Sequence, residues 1–265
     1  MFLIRLSPSD QSGEAVLYSL LPDGELDKVT APLSSGVVSV SRIKSSPLLN
    51  GVRAVFVEET TSEGFLTDIF TLQRGVFTNI TLNTGDAASS VTYRTIAAYS
   101  TDINGDGVLD IPVPVQLNSA PDSTTTYYAI RWYSYSSLGR LSKTERNRTV
   151  TTFHNSTDGW FLVLSDDIVN RLYVRRDASR GARSVVFSLP DSAGVVRDVL
   201  AISTLTGDNR EDESISGNRF LLSTKGDVIY TGEILSEEFT NRSFTKDQVS
   251  MDFHLIYSEW GTSEK

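Results

Sequence analysis

Residues 102–110 read Asp102-Ile-Asn-Gly-Asp-Gly-Val-Leu-Asp110, and this stretch is the most informative part of the chain. Asp102, Asn104 and Asp106 alternate along it, so a tightly coiled backbone would turn three oxygen-bearing side chains toward one point. The two glycines between and after them permit this coil, because glycine enters positive φ without steric cost. The stretch therefore predicts a tight loop lined with oxygen atoms.

The donor atoms of this loop suit one cation in particular. Ca²⁺ binds about 6–8 oxygen ligands at about 2.3–2.6 Å, and flexible carboxylate loops supply them. The predicted ligands are four side chains and one main-chain carbonyl, that of Val108: Asp102, Asn104, Asp106, Val108 and Asp110. The alternative is a bare Asx/Gly turn that holds no ion.

The residues after the loop distinguish it from an EF-hand. The twelfth position is Val113, where an EF-hand needs a bidentate glutamate. Pro112 and Pro114 lack amide donors and favour extended conformations in the residues before them. The sequence therefore predicts a calcium loop that is followed by a strand and not by a helix.

The composition excludes several classes of site. The 265 residues contain no cysteine, which rules out disulfides, thiolate catalysis and cysteine-based zinc sites. Only two histidines are present, His154 and His254, so a histidine-rich metal site is excluded as well. The net charge of −9 disfavours nucleic acid as a partner, because phosphate binding requires a basic surface.

Hydropathy gives no sign of a membrane segment. No apolar run approaches the roughly 18 residues that a spanning helix needs. The apolar run at residues 2–4 is too short for a signal peptide. If the protein is exported, the signal or lipid anchor is expected upstream of this chain.

Strand-forming residues in short runs dominate the sequence, which predicts a mainly β fold. The clearest runs are Val37–Val40, Ala54–Val57, Asp68–Leu72, Tyr127–Tyr133 and Ser184–Ser188. A hairpin pattern also occurs three times, at 18–26, 70–77 and 133–141, each with a leading aromatic residue and a glycine in the turn. Such spacing is typical of β-propeller blades, although three copies are too few to close a ring. Chance similarity between hairpins is the alternative.

The pattern changes near residue 150, which predicts a propeller-like region at 1–150 and a small α+β domain at 151–265. In the second region, Ser165–Asn170 favours one helical turn capped by Ser165. A hairpin is predicted at 219–233. Thr245 and Gln248 form a capping box, and Val249, Phe253 and Ile256 follow with helical spacing. A helix is therefore expected to cover one face of an antiparallel sheet.

Candidates for catalysis are weak. Ser41 and Lys44 match a Ser-x-x-Lys motif, but its partner motifs are absent. His154 is interpreted as a surface turn residue and His254 as a residue flanking the last helix. Glu58-Glu59 and Asp166-Asp167 are neighbours in sequence, so on a strand their side chains would point to opposite faces. Residues 210–213 are interpreted as a solvated charged loop, and no catalytic residue is assigned.

Aromatic residues cluster after the calcium loop. If exposed, they could stack on sugars or on a peptide partner, and if buried they would form the core of a blade. The cluster comprises Tyr127, Tyr128, Trp132, Tyr133 and Tyr135. The sequence favours the buried alternative.

The loop at Asp102–Asp110 resembles the calcium loop of FG-GAP/VCBS-type, integrin-α-like β-propeller repeats. Further stretches are similar to the C-terminal part of uncharacterised propeller-bearing surface lipoproteins of Gram-positive gut bacteria. The stretches that carry this second resemblance are 100–112, 130–133, 153–160, 201–211 and 256–260. The resemblance implies a secreted or cell-surface protein with a non-enzymatic role.

Together these observations predict a calcium-stabilised extracellular binding or scaffold protein, whose partner would be a surface protein or a glycan. A second hypothesis is a hydrolase or glycan-processing accessory with a carboxylate site between the two domains. A third is a purely structural spacer, which would lack an exposed aromatic patch.

Overall fold

The computed structural model describes residues 1–7, 12–82, 88–119, 125–138, 143–177, 183–236 and 244–256. Across these residues the protein is mainly β, as the strand-forming runs predict, with seventeen strands and three short helices. The strands form four antiparallel sheets, none of which closes on itself.

Three strands form the first sheet in chain order, namely β1 (Phe2–Ser7), β2 (Ser12–Leu20) and β3 (Leu26–Pro32). The hairpin predicted at 18–26 is confirmed, because Leu20 pairs with Leu26 across its turn. Gly24 in that turn has a φ of 86°, a conformation that glycine adopts without strain.

The second sheet is also ordered as in the chain: β4 (Val37–Pro47), β5 (Arg53–Thr61), β6 (Phe65–Gln73) and β7 (Val76–Asn79). It confirms the strands predicted at 37–40, 54–57 and 68–72. The hairpin predicted at 70–77 joins β6 to β7 through Arg74 and Gly75, which both have positive φ. Two-residue turns of this kind match the right-handed twist of the flanking strands.

Apolar side chains cover both faces of the second sheet. On one face, Val57 and Phe70 pack with Ala15 and Ala31 of the first sheet. On the other face, an apolar cluster joins β5 and β6 to the strands that follow the loop; its buried members are Leu48, Ala54, Phe56, Ile69, Ile80, Ile111 and Tyr135. The second sheet is therefore a middle layer, and polar side chains on β5 and β6 face one layer or the other.

The third sheet begins directly after the loop. Its strands are β8 (Ile111–Gln116), β9 (Tyr128–Leu138), β10 (Lys143–Asn155), β11 (Trp160–Leu164) and β17 (Phe253–Leu255), in the order β17-β11-β10-β9-β8. The predicted strand after the loop is thus confirmed as β8. The hairpin predicted at 133–141 corresponds to β9 and β10, and its turn at 139–142 lies outside the described residues.

The fourth sheet has the order β12-β13-β14-β16-β15. Its strands are β12 (Tyr173–Asp177), β13 (Arg183–Pro190), β14 (Val196–Leu205), β15 (Arg219–Lys225) and β16 (Val228–Ile234). The predicted strand at 184–188 and the hairpin at 219–233 are confirmed. The helices are α1 (Asp166–Val169), α2 (Arg210–Ser214) and α3 (Lys246–Asp252).

The helices differ in detail from the sequence predictions. The helical turn after Ser165 is present, but the Ser165 side chain makes no capping hydrogen bond. Residues 210–213, which were expected to form a loop, belong to α2, whose residues are all at least partly solvent-accessible. The cap on α3 is confirmed, because Thr245 Oγ1 accepts a hydrogen bond from the Gln248 amide at 3.1 Å.

The predicted continuation of α3 to Ile256 is wrong. The helix ends at Asp252, and Phe253–Leu255 forms β17, which pairs with β11. Phe253 is buried in this strand. The predicted apolar position is therefore correct, but its backbone is extended and not helical.

The chain divides into two compact units. One contains Met1–Pro114 and Arg131–Val150, and the other contains Val115–Ile130 and Thr151–Ser258. The sequence placed one boundary at residue 150; the segment Val115–Ile130 is grouped with the residues that follow that boundary.

Candidate functional site

The loop at Asp102–Asp110 is closed at its base by the backbone. The amide of Asp110 donates to the Thr101 carbonyl at 2.8 Å, and the amide of Thr101 donates back at 3.1 Å. Gly105 and Gly107 have φ values of 78° and 84°, as the predicted coil requires. A Cβ added at either glycine would meet open space, so backbone conformation, and not crowding, explains why glycine is needed there.

The Asp102 carboxylate lies inside the coil. Its Oδ1 accepts hydrogen bonds from the amides of Gly105 (2.7 Å) and Asp106 (3.0 Å), and its Oδ2 accepts one from Gly107 (2.8 Å). These three backbone donors hold the loop around the carboxylate.

Asn104 and Asp106 lie on the exposed side of the loop. The Asn104 amide donates to Asp106 Oδ2 at 2.9 Å, and Asp106 Oδ1 accepts the Val108 amide at 2.8 Å. Both side chains are open to solvent, whereas the Val108 side chain is buried. The Asp106 carboxylate and the Asn104 side-chain amide are thus reachable from outside.

Asp110 is placed differently from the other predicted ligands. Its side chain is fully buried, and Oδ1 accepts hydrogen bonds from the hydroxyls of Ser134 on β9 and Thr149 on β10, the latter at 2.7 Å. Burial raises the pKa of the Asp110 carboxyl, and these hydroxyl donors oppose the rise. Asp110 therefore ties the base of the loop to two strands of the third sheet.

Hydroxyl side chains that support the loop were not found from the sequence. Besides Ser134 and Thr149, Ser46 on β4 accepts the Leu109 amide at 3.1 Å. These residues lie 24 to 63 positions from their loop partners, in a chain rich in serine and threonine. No local pattern could have identified them.

The donor set fits calcium chemically, because it consists of hard oxygen atoms from three carboxylates, one amide and the main chain. The side chains are not gathered as a complete ligand shell, however. Across the part of the chain that the structure describes, no three His, Cys, Asp or Glu side chains lie together in a way that could hold a metal ion. In this conformation both Asp102 oxygens and Asp106 Oδ1 accept hydrogen bonds from backbone amides, and Asp106 Oδ2 accepts one from the Asn104 side chain.

The neighbouring residues Glu58 and Glu59 point to opposite faces of β5, as predicted, but both are buried. Glu58 forms an ion pair with Arg94 and accepts hydrogen bonds from Thr67 and from the Ser100 amide. Burial alone would raise the pKa of Glu58, but Arg94 and these donors hold it below its usual range. Glu59 lies on the other face with Asp68 of β6.

Both histidines are strand residues. This corrects the interpretation of His154 as a surface turn residue, whereas His254 does flank the last helix, which ends at Asp252. His154 lies on β10 and His254 on β17. The rings of both stack on the ring of Phe161, which lies on β11 between those two strands. The ring centroids are 5.1 and 4.9 Å from that of Phe161. Burial lowers the pKa of His154 to about 3, so this imidazole is neutral and packs as an aromatic ring.

The aromatic cluster after the loop belongs to the interior, as the sequence favoured. Trp132 and Tyr135 are buried, and Tyr127 and Tyr133 pack against apolar clusters. Tyr128 is partly buried. This group therefore offers no open aromatic platform.

The Ser41 hydroxyl lies 3.1 Å from the Thr60 hydroxyl, so its hydrogen-bond contact is not with Lys44.

Among the described residues, none of the helices has the length and apolar character required to cross a membrane. A scan against protein-family models, a search of curated proteins and a search of solved structures each gave no match to this chain.

Proposed function

We propose that this protein is a calcium-stabilised, non-enzymatic scaffold or binding protein of the cell surface or extracellular space. The observation that carries the proposal is the closed loop at Asp102–Asp110, which presents carboxylate and amide oxygens on a coil shaped by two left-handed glycines. Loops of this chemistry are suited to hard divalent cations.

In this proposal the ion is held by Asp102, Asn104, Asp106, the Val108 carbonyl and Asp110. The ion supplies positive charge where three carboxylates fall within nine residues. The side chains of Asn104 and Asp106 exchange their present hydrogen bonds for it. Asp110 connects the loop to Ser134 and Thr149, so ordering the loop also stabilises the start of the third sheet.

The arrangement of the sheets supports a propeller-like reading of the fold. Strands β1–β3, β4–β7 and β8–β11 form three successive meanders, each ordered as in the chain. Propeller blades are four-stranded meanders of this kind. In the second unit, α3 lies against β11, β15 and β16, which supports the α+β reading of that region.

Calcium is expected to raise the melting temperature. A ligand that binds the folded state alone stabilises it by about 2.7 kcal/mol at 100 times its Kd, or roughly 5–10 °C for a chain of this size. The measurement is thermal unfolding by circular dichroism with excess calcium and again with excess chelator. Asp106→Asn should abolish most of the difference while leaving the melt in chelator almost unchanged.

Asp23→Asn is the matched control, because Asp23 also precedes a glycine of positive φ and accepts a backbone amide, at 3.1 Å, but lies in a simple hairpin turn. This variant should keep the full calcium response. If wild type melts at the same temperature in calcium and in chelator, the loop is only an Asx/Gly turn, and the calcium proposal fails.

A further inference from the structure

A pair of buried carboxyl groups lies between the first and second sheets. Glu59 on β5 and Asp68 on β6 are diagonal neighbours on the face of the second sheet that packs against the first, since Val57 pairs with Asp68 and Glu59 with Leu66. Their exposed fractions are 1% and 0%. Diagonal neighbours on adjacent strands lie close enough for long side chains to reach each other.

The two groups have different surroundings. Asp68 accepts hydrogen bonds from the Ser34 amide (2.6 Å), the Ser34 hydroxyl (2.8 Å) and, more weakly, the Thr81 hydroxyl (3.4 Å). Both oxygens of Glu59 are buried, and among the described residues neither has an N–H or hydroxyl donor. A buried carboxylate without donors is costly, whereas a protonated carboxyl can donate to a neighbouring carboxylate.

Within the described part of the chain, no basic residue is among the charged groups that act on Glu59. The charged neighbours that act on Glu59 are Asp68 on the adjacent strand and Glu58 on its own strand, and both are acidic. Arg42 and Arg94 contact Glu58 on the opposite face of the sheet. From the segment that precedes β4, the residues packed here are Leu33 and Ser34, which carry no charge.

We infer that Glu59 is protonated in the folded protein at neutral pH and donates a hydrogen bond to Asp68, so that folding takes up one proton at this pair. Asp68 keeps the negative charge, because it has the donors that stabilise a carboxylate. With this proton the two side chains form a hydrogen bond between adjacent strands, where two charged carboxylates would repel each other.

The stability of the folded protein should therefore depend on pH in a defined direction. Burial, together with the Asp68 charge, raises the pKa of Glu59 to about 11, from a usual carboxyl value near 4.5. A group with a raised folded-state pKa contributes stability that is complete below its unfolded pKa and is lost as the pH rises toward the folded value. Between these two pKa values, each rise of one pH unit lowers the folding equilibrium constant about tenfold through Glu59.

Glu59→Gln tests this, because glutamine keeps the shape and the donor but needs no proton. The ratio of the folding equilibrium constant of Glu59→Gln to that of wild type should rise about 100-fold between pH 6 and pH 8. The measurement is urea unfolding at pH 6, 7 and 8 in excess chelator. Glu63→Gln, an exposed carboxyl in the turn of the same hairpin, should leave the wild-type pH dependence unchanged.

A spectroscopic measurement does not depend on the stability of any variant. The infrared C=O stretching band of a protonated carboxyl should be present in wild type at pH 8 and absent in Glu59→Gln. Parallel pH profiles for the two proteins, or a wild type without this band, would overturn the inference. A calcium effect at the pair would overturn it as well. If calcium stabilised Asp106→Asn but not the double variant Asp106→Asn/Glu59→Gln, a cation and not a proton would occupy the pair.

Discussion

Replacing Arg94 by methionine is expected to destabilise the protein by about 3–5 kcal/mol, because it removes the closer and fully buried of the two cationic partners of Glu58. Arg94 is fully buried, and Glu58 is 2% exposed. The guanidinium also donates to the carbonyl of Ala98 at 2.6 Å and to the Thr67 hydroxyl at 3.0 Å. Urea unfolding at pH 7 measures the loss.

The exposed ion pair between Arg5 and Glu14, at 2.8 Å, is the matched control. Arg5→Met should cost at most about 1 kcal/mol, since solvent screens such pairs. Adding Glu58→Gln to Arg94→Met should recover part of the loss, because the amide needs no counter-charge. If Arg94→Met alone costs less than about 1 kcal/mol, the ion pair between Arg94 and Glu58 does not contribute to stability.

The same variant should respond to pH in a defined direction. In wild type the lowered pKa of Glu58 contributes stability that is present above the usual carboxyl value and is lost as the pH falls through the folded value. Arg94→Met lacks that contribution. Its deficit relative to wild type is therefore expected to shrink as the pH falls below about 4.5.

Truncation of Trp160 is the second large effect that we expect. Its side chain is 0% exposed, and its ring centroid lies 5.9 Å from that of Phe153 and 5.7 Å from that of Phe253. Trp160→Ala should cost about 3–5 kcal/mol through lost contacts and a cavity. Urea unfolding followed by circular dichroism measures this independently of tryptophan fluorescence.

Trp160→Phe separates packing from hydrogen bonding. The indole Nε1 is buried and has no acceptor among the described residues. Burying a donor without an acceptor costs about 1–3 kcal/mol. Phenylalanine loses contacts but removes that donor, so a cost of only about 1–2 kcal/mol is expected. Ile215→Ala, at a side chain that is 79% exposed, should stay within about 0.5 kcal/mol. Equal costs for Trp160→Ala and Ile215→Ala would contradict this account of the core.

Local patterns predicted much of the secondary structure. Short runs of strand-forming residues located the strands of the second sheet, and the glycine of the Arg74-Gly75 turn located its hairpin. The end of α3 was not predicted, because Phe253 fits both helical spacing and a buried strand position. Local pattern cannot decide between them when pairing with a distant strand, here β11, determines the outcome.

The polar contacts were mostly beyond sequence reasoning. The alternation of Asp102, Asn104 and Asp106 around glycines predicted the coil of the loop, and the positive φ values of those glycines match this prediction. The partners of Glu58 lie 9, 36 and 42 residues away, so the sequence showed two adjacent glutamates and nothing of what surrounds them. His154 was misassigned for the same reason, since its packing on Phe161 depends on strand pairing.

The two adjacent glutamates of β5 also determine how strands can align while the sheet forms. A slip of β5 by one residue exchanges its faces. In one direction Val57 would come to face Arg94, leaving the guanidinium without a counter-charge. In the other direction Glu58 would take the place of Val57 among Phe70 and Ala15. Either misaligned sheet buries an isolated charge, so a chain that pairs wrongly is driven to separate and pair again, which favours a single alignment during folding.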